Sequence, residues 1–556
     1  DGTLCRAGNG PDSSFSVAAP EAFGFLGTTR AAIGVVGGGA ISSSSAQLQI
    51  IAGDVDINGG YVGNARGSIR LAAIGAQPAE ISLAGNVSSA NSQPGLPAGS
   101  LTITGGGVVL TGSTSAVSAG NIDVRSGSLA IDGAGAAGST GIASLAFSGT
   151  GSAGNIDLAV GGAASIVNGG QISSSTLSQG MAGTVRLSAD TLTIDRQRSA
   201  GRTGIASNSE RGSAGAAGDV EVVVSGMASI VNGGGIGSST FSSGTAGTVN
   251  VMAGSLNIDG QGSNLLTGIS NLAAFGSSGS AGNIEVAVSG AVSIRKGAEI
   301  GLSTFSSRDS GTVRLTGGSL TVDGQGANLF TGIYNQAAPG GIGSAGNIDA
   351  TVNGPASILS GGQISTSTFS QGRAGTVKLS ADTLSIDRQG SARRTGIVSN
   401  AEFGSAGAAG DVEVVVSRAA SIVNGGLISS STFSSGNAGA IRLTAESLTV
   451  DRRGLTEVAG ILTQAVAGSS GSAGNIEVAI SGAASVVNGG FIGSDTFSSG
   501  NAGNLKLTAA SLTIDGQGSV GGSRISSATV GSSGSAGEIE LTVSGAASNV
   551  NGGAIG

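Results

Sequence analysis

Apolar residues along most of this chain alternate with small or polar ones, in short runs that glycine and serine bring to a stop. Gly154-Asn-Ile-Asp-Leu-Ala-Val160 is one such run, followed by Ala164-Ser-Ile-Val-Asn168 and Gly170-Gln-Ile-Ser-Ser174. A period of two predicts a strand with one buried face. The three runs return in variant form as Gly183-Thr-Val-Arg-Leu187, Thr191-Leu-Thr-Ile-Asp195 and Thr203-Gly-Ile-Ala-Ser207. The opening glycine recurs at Gly218, Gly282, Gly346, Gly410, Gly474 and, one residue short, Gly537, which sets a repeat of 64 residues. A second anchor divides each unit 29 residues in, at Gly183, Gly247, Gly311, Gly375, Gly439 and Gly503. A fixed period of tens of residues is the mark of a solenoid or array. Three short strands per half-unit predict an all-β parallel β-helix (solenoid) with one coil per half-unit and two per repeat. Aliphatic residues are expected inside, small and polar ones outside.

The charges supply an internal check. Three residues after each anchor stand Asp157, Arg186, Glu221, Asn250, Glu285, Arg314, Asp349, Lys378, Glu413, Arg442, Glu477, Lys506 and Glu540. One coil per half-unit places these side chains in a single outer row about 4.8 Å apart, with acid beside base at nearly every step. Like charges in such a row repel and opposite ones attract by about 0.2–1 kcal/mol. Exposed pairs of this kind add little stability, so their expected effect is on register.

Three segments follow. Residues 154–556 form the regular array, and 183–234 closely matches 375–426, three units on. Residues 76–153 are transitional, with anchors at Gly99-Ser-Leu-Thr-Ile103 and Gly120-Asn-Ile-Asp-Val124 and a break at Gln93-Pro-Gly-Leu-Pro97. Residues 1–75 begin irregularly, then run through Pro20-Glu-Ala-Phe-Gly-Phe-Leu26, Ile51-Ala-Gly-Asp-Val-Asp-Ile-Asn-Gly-Gly60 and Gly67-Ser-Ile-Arg-Leu-Ala-Ala-Ile74. This N-terminal run resembles the end of the two-partner secretion (haemagglutination activity) domain of filamentous-haemagglutinin-like exoproteins, and the units after it resemble that family's glycine-rich repeats. The resemblance implies a right-handed helix, export through a dedicated outer-membrane secretion partner, and display at the bacterial surface or release as an adhesin. The final residues, Asn549-Val-Asn-Gly-Gly-Ala-Ile-Gly556, stop in mid-coil. The expectation is therefore a chain that continues or copies that stack end to end.

Composition narrows the picture. Glycine supplies 105 of 556 residues, yet the strict alternation and a mean hydropathy of +0.28 argue against a disordered chain. A net charge of −8 without a basic block disfavours a nucleic-acid partner. No apolar run reaches the length of a membrane-spanning helix. The first residue is Asp and no signal peptide is visible, so a processed or partial chain is expected. The single cysteine, Cys5, is read as an idle thiol. With zero histidines the usual general base and zinc ligand are missing. The remaining acids and bases recur at equivalent positions, whereas an active site is normally a departure from a repeat. Neither an enzyme nor a bound cofactor is expected.

The main irregularity lies between the second and third strands. The step from Asn168 to Ile172 is four residues, but from Asp195 to Ile205 it is ten, so every second coil extrudes a loop and the loops line up as a ridge. Candidate contacts on that ridge are Arg196, Arg198 and Arg202, Leu265 and Leu266, Leu329 and Phe330, and Arg388, Arg393 and Arg394. Function often sits on loops held by a rigid scaffold; solvated filler and packing between neighbouring rods remain open. The corner row Asn168, Asp195, Asn232, Asp259, Asp323, Asp387, Asn424, Asp451, Asn488 and Asp515 suits left-handed turns better than calcium, which needs six or more converging oxygens. Phe241, Phe305, Phe369, Phe433 and Phe497, with Leu177, recur once per unit at about 9–10 Å, too far apart for direct ring pairs. They are expected to anchor the first-half loop. The whole predicts an exported rod of about 17 coils, roughly 80 Å long, serving as a multivalent stalk for attachment to a host or neighbouring cell-surface glycan or protein. Alternatives are a self-assembling extracellular fibre and the inert stalk of a toxin-delivery protein.

Overall fold

A computed structural model describes residues 22–25, 30–76, 79–82, 99–197, 199–453, 457–519, 521–531 and 533–556. Cys5, Arg198 and part of the 20–26 segment lie outside the described residues. All regular structure among the described residues is β, and the strands stack in parallel as a β-solenoid. Each coil contributes a first, second and third strand. The unit that opens at Gly154 places Ile156–Val160, Ala163–Val167 and Gly170–Thr176 in one coil, then Val185–Ala189, Thr191–Asp195 and Thr203–Ser209 in the next. Among the described residues the third-strand ladder holds 17 strands. First and second strands form two further ladders, fused where Val220–Val231 and Val249–Asp259 each run through the shallow corner between them.

The interior follows from the alternation. Ile156, Val185, Val220, Val249, Ile284 and Val313 stack in register along the first strands, and all are fully buried. Ile172, Ile205, Ile236 and Ile269 do the same along the third. Removing one such isoleucine deletes contacts with the rungs on either side, and core changes of this kind cost about 2–5 kcal/mol. The interior is not wholly aliphatic, however. A row of hydroxyls and amides, among them Ser174, Ser207, Ser238, Asn271, Asn335 and Ser399, is buried where the third strand turns into the next coil. Ser174 accepts the Gly183 N–H at 2.8 Å and donates to the Gly154 carbonyl at 3.1 Å. Ser207 does the same for Gly218 and Gly183, and Asn335 for Gly346 and Gly311. These side chains satisfy corner backbone groups that no ladder partner reaches.

Two features of the N-terminal part depart from the expected organisation. Gly99 does not open a first strand: Ser100–Thr104 pairs with Val55–Asn58 and with Ser128–Asp132, which places it in the second-strand ladder. Its Ser-Leu-Thr-Ile core is the pattern of other second strands, such as Thr191-Leu-Thr-Ile-Asp195, and a preceding glycine occurs at both strand types. The preceding first strand ends at Ala73, far before Ser100, whereas Val160 and Ala163 or Ala189 and Thr191 show how close first and second strands stand in regular coils, so the chain carries an insertion between the two strands here. Ala22–Phe25 lies outside the coils as well, paired antiparallel with Ala79–Ser82 in that insertion.

The Asn/Asp corner divides its labour differently from the sequence expectation. Asn168, Asn232, Asn424 and Asn488 adopt the left-handed conformation with φ of 50–52°, but the aspartates do not. In the long-loop coils the left-handed residue is two places on, at Gln197, Gln261, Gln325, Gln389, Arg453 and Gln517. Each aspartate instead accepts that residue's N–H, as Asp195 does from Gln197 at 2.9 Å. The asparagine amides then donate to the aspartate one coil back, Asn168 to Asp132 at 2.9 Å and Asn424 to Asp387 at 2.9 Å. Lys296 holds the same turn with φ of 50° but has no amide to give Asp259. Lys296→Asn should therefore stabilise its coil by about 1 kcal/mol, since asparagine tolerates this backbone better. Slower hydrogen exchange through residues 291–304 is the expected readout.

Candidate functional site

The third residue after each anchor forms one unbroken register row, Asp123–Asp157–Arg186–Glu221–Asn250–Glu285–Arg314–Asp349 and on through Lys378, Glu413, Arg442, Glu477 and Lys506 to Glu540. Ion pairs form mainly from each base to the acid of the following coil: Arg186–Glu221 at 2.8 Å, Lys378–Glu413 at 2.9 Å, Arg442–Glu477 at 3.5 Å and Lys506–Glu540 at 2.8 Å. Arg314–Asp349 is looser at 3.9 Å, and Arg186 also reaches Asp157 at 3.7 Å. The carboxylates of Glu413 and Glu540 hold the ammonium groups of Lys378 and Lys506 above their ordinary pKa. Asp123 is buried and pairs with Arg125 at 2.8 Å, while along the exposed part of the row each base is paired with an acid of the row.

The loop ridge does more. Together with the outer face of the third-strand ladder it encloses a groove of about 900 Å³, lined on the ridge side by Arg196, Arg202, Leu265, Leu266, Phe330 and Arg394. Phe241, Phe305 and Phe369 form the opposite wall. The rings of these phenylalanines, expected to anchor the first-half loop, are half-buried and line the groove, and their backbone N–H groups bond the preceding coil, Phe305 to the Ala273 carbonyl at 2.8 Å. Phe433 instead pairs with Phe403, ring centroids 5.0 Å apart, and carries Arg394 at 5.7 Å on its face.

The ten ridge candidates do not share one role. Arg196 and Arg388 turn back on their own loops: Arg196 donates to the carbonyls of Gly201 and Ala200, and Arg388 to those of Ser391, Ala392 and Arg393. Arg388 also pairs with Glu457 of the next long loop at 2.8 Å. Arg196 thus fastens its own loop, and Arg388 both fastens its loop and ties it to the next one. Arg393 donates to the Asn328 carbonyl of the long loop before it. Leu329 sits half-buried over Gly297, where Leu265 and Leu266 are 47% and 62% exposed. Arg202 and Arg394 remain exposed along the groove.

At mid-groove is a cluster that the repeat does not contain elsewhere. Glu299 stands where the other units have Gln171, Gly235, Gln363, Leu427 and Phe491, in register between Gly268 and Gly332. It is 3% exposed, and the Tyr334 hydroxyl donates to its carboxylate at 3.0 Å. Burial pushes the Glu299 carboxyl up to about 7, with the Tyr334 hydrogen bond opposing the shift. The Tyr334 ring lies flat over Gly301, so close that a Cβ there would overlap it, and its edge meets Phe330 with centroids 5.3 Å apart. Beside it the Gln336 amide donates to Ser303 at 3.0 Å. Periodicity hides these residues because they break it; aligning the six units against one another would have exposed Glu299 and Tyr334 as the exceptions. No protein-family model matches the chain, and no curated protein sequence matches it either.

Proposed function

We propose that this chain is an exported, rod-shaped attachment protein, a stiff stalk that repeats modest contacts along one side. The observation that carries the reading is the loop ridge: through the regular repeats one corner of every second coil is extended, and extended loops are braced against one another through Arg388–Glu457 and Arg393–Asn328. Bracing keeps the contacts at fixed spacing, the condition under which repetition raises avidity without a strong single site. Export through an outer-membrane partner and display outside the cell belong to the same proposal and rest on the resemblance carried by residues 20–75. A second reading, lateral assembly into a fibre, draws on the exposed pair Val223 and Met252, which lie in register on adjacent coils at 45% and 44% exposure.

Electron microscopy of the purified chain, combined with attachment of chain-coated beads to cells, tests the two. Separate rods of about 80 Å (17 rungs at ~4.8 Å) that lose attachment when loops 260–266 and 324–330 are shortened to the first-half length support the stalk. Laterally bundled filaments that disperse with Val223→Ser and Met252→Ser, and attachment indifferent to the loops, would replace it with the fibre.

A further inference from the structure

The groove between ridge and phenylalanine wall has a shape and chemistry of its own, and its occupant can be narrowed. Eight successive third-strand rungs, from Ile172 to Ile397, underlie it. At about 4.8 Å per rung it is roughly 34 Å long, too long for one small metabolite.

Its floor is the face of a sheet, not an edge. Each floor strand pairs in parallel on both sides, as Ala298–Thr304 does with Thr267–Ala273 and Thr331–Ala337. A peptide therefore has no free backbone row to join as an added strand, the usual source of its affinity in such modes. What the floor offers is uncharged side-chain hydroxyls and amides, including Ser173, Asn208, Ser270, Gln336 and Gln363. The walls offer apolar surface, with Phe241, Phe305 and Phe369 at two-coil intervals of about 9–10 Å.

Charge is balanced along the groove. Arg196, Arg202 and Arg394 line it together with Glu210, Glu299 and Glu402; Arg196 is bound within its own loop, Arg394 lies over the Phe433 ring, and Glu299 is covered by Tyr334. Nothing here concentrates one sign of charge, so neither a polyanion nor a polycation is favoured. A long ligand that alternates apolar faces with hydroxyl edges, and is itself uncharged, fits all of these conditions.

We propose that this groove binds a neutral polysaccharide chain lying parallel to the rod axis, with sugar C–H faces on the phenylalanine wall and hydroxyls on the Ser, Asn and Gln floor, centred on the Glu299–Tyr334 pair. The inference rests on the attachment reading and deepens it. Aromatic rings present large rigid apolar area at low entropic cost, and floor amides and hydroxyls fix orientation.

The test is calorimetry on the full chain with a panel of neutral hexasaccharides, β-1,4-linked glucose, α-1,4-linked glucose and β-1,4-linked N-acetylglucosamine, beside heparin and an unstructured decapeptide. Binding of at least one neutral member, with at least a tenfold loss in both Phe305→Ala and Gln336→Ala and none in the outer-row control Arg442→Ala, is the expected result. Gln336 packs no core, so its variant stays informative where Phe305→Ala perturbs folding. Silence across the neutral panel, preference for heparin or the decapeptide, or binding indifferent to Gln336 would each overturn the proposal. Cell attachment measured on Gln336→Ala separates the two readings: attachment retained while no sugar binds leaves the stalk standing and removes only the groove.

Discussion

Gly375→Ala is expected to destabilise its coil by about 3 kcal/mol or more, a large effect for one methyl group. A Cβ built on Gly375 runs into the Gly346 carbonyl of the coil beneath, well inside 3.0 Å, and the obstacle is backbone on a rung already hydrogen-bonded above and below. The same collision awaits at Gly154, Gly183, Gly218, Gly247 and the later anchors, each against the anchor before it. The opening glycine therefore recurs because coils at this corner touch backbone to backbone. Gly138 supplies the contrast: it is exposed, a Cβ there meets nothing within 4 Å, and Gly138→Ala should be neutral or slightly stabilising. Stability in a solenoid is a sum over neighbouring coils and not one two-state value, so the comparison is best read locally. Hydrogen exchange accelerated through residues 346–381 in Gly375→Ala, with Gly138→Ala unchanged, is the expected pattern; equal behaviour of the two variants would refute the close-contact account.

Such contacts explain why the architecture was readable from one sequence. Period-two alternation fixes which side chains enter the core, and a register slip would both invert those faces and bring Asp157, Arg186 and Glu221 out of line. Anchor spacing then yields the coil, and the 29 and 35 residue alternation yields the ridge. Gly99 escaped because a glycine before an alternating run marks both first and second strands, and only pairing decides between them. The buried hydroxyl row escaped for a related reason. In Gln171-Ile-Ser-Ser-Ser-Thr176 nothing local separates Ser174, which faces inward to two glycine backbones, from Ser173, which faces the groove.

The candidate site was legible in outline only. Ridge residues could be nominated because loop length departs from the period, but Arg196 and Arg202 look alike in sequence and differ in that one folds back on its own carbonyls. That the ridge faces a row of phenylalanines across eight rungs depends on how far each loop overhangs the sheet. A repeat-based reading also averages away a solitary Glu299 and Tyr334, the two positions at which this rod is least like itself.

Glu299 gives the second large effect, a loss of stability on passing from mildly acidic to mildly alkaline solution. Its ordinary value of 4.5 applies to the unfolded chain, and burial raises the folded value to about 7. Below pH 4.5 the carboxyl is protonated in both states and the coil keeps its full stability. Between the two values the unfolded chain releases a proton that the folded chain retains, so stability falls as pH rises, and the loss is complete above 7. A shift of this size corresponds to about 3 kcal/mol at that rung. The group that meets the carboxyl directly is Tyr334, whose hydroxyl burial holds well above its ordinary pKa and thus protonated throughout the range. Glu299→Gln should remove the dependence while leaving the fold intact, because Gln171 and Gln363 already occupy the same position in other units. Hydrogen exchange in Ala298–Thr304 and Thr331–Ala337 at pH 5 and pH 8, corrected for intrinsic rates, should show the native chain loosening at pH 8 and the variant holding. Identical profiles would mean that water reaches the carboxylate and ionises it in place, and that the centre of the groove is wetter than its packing implies.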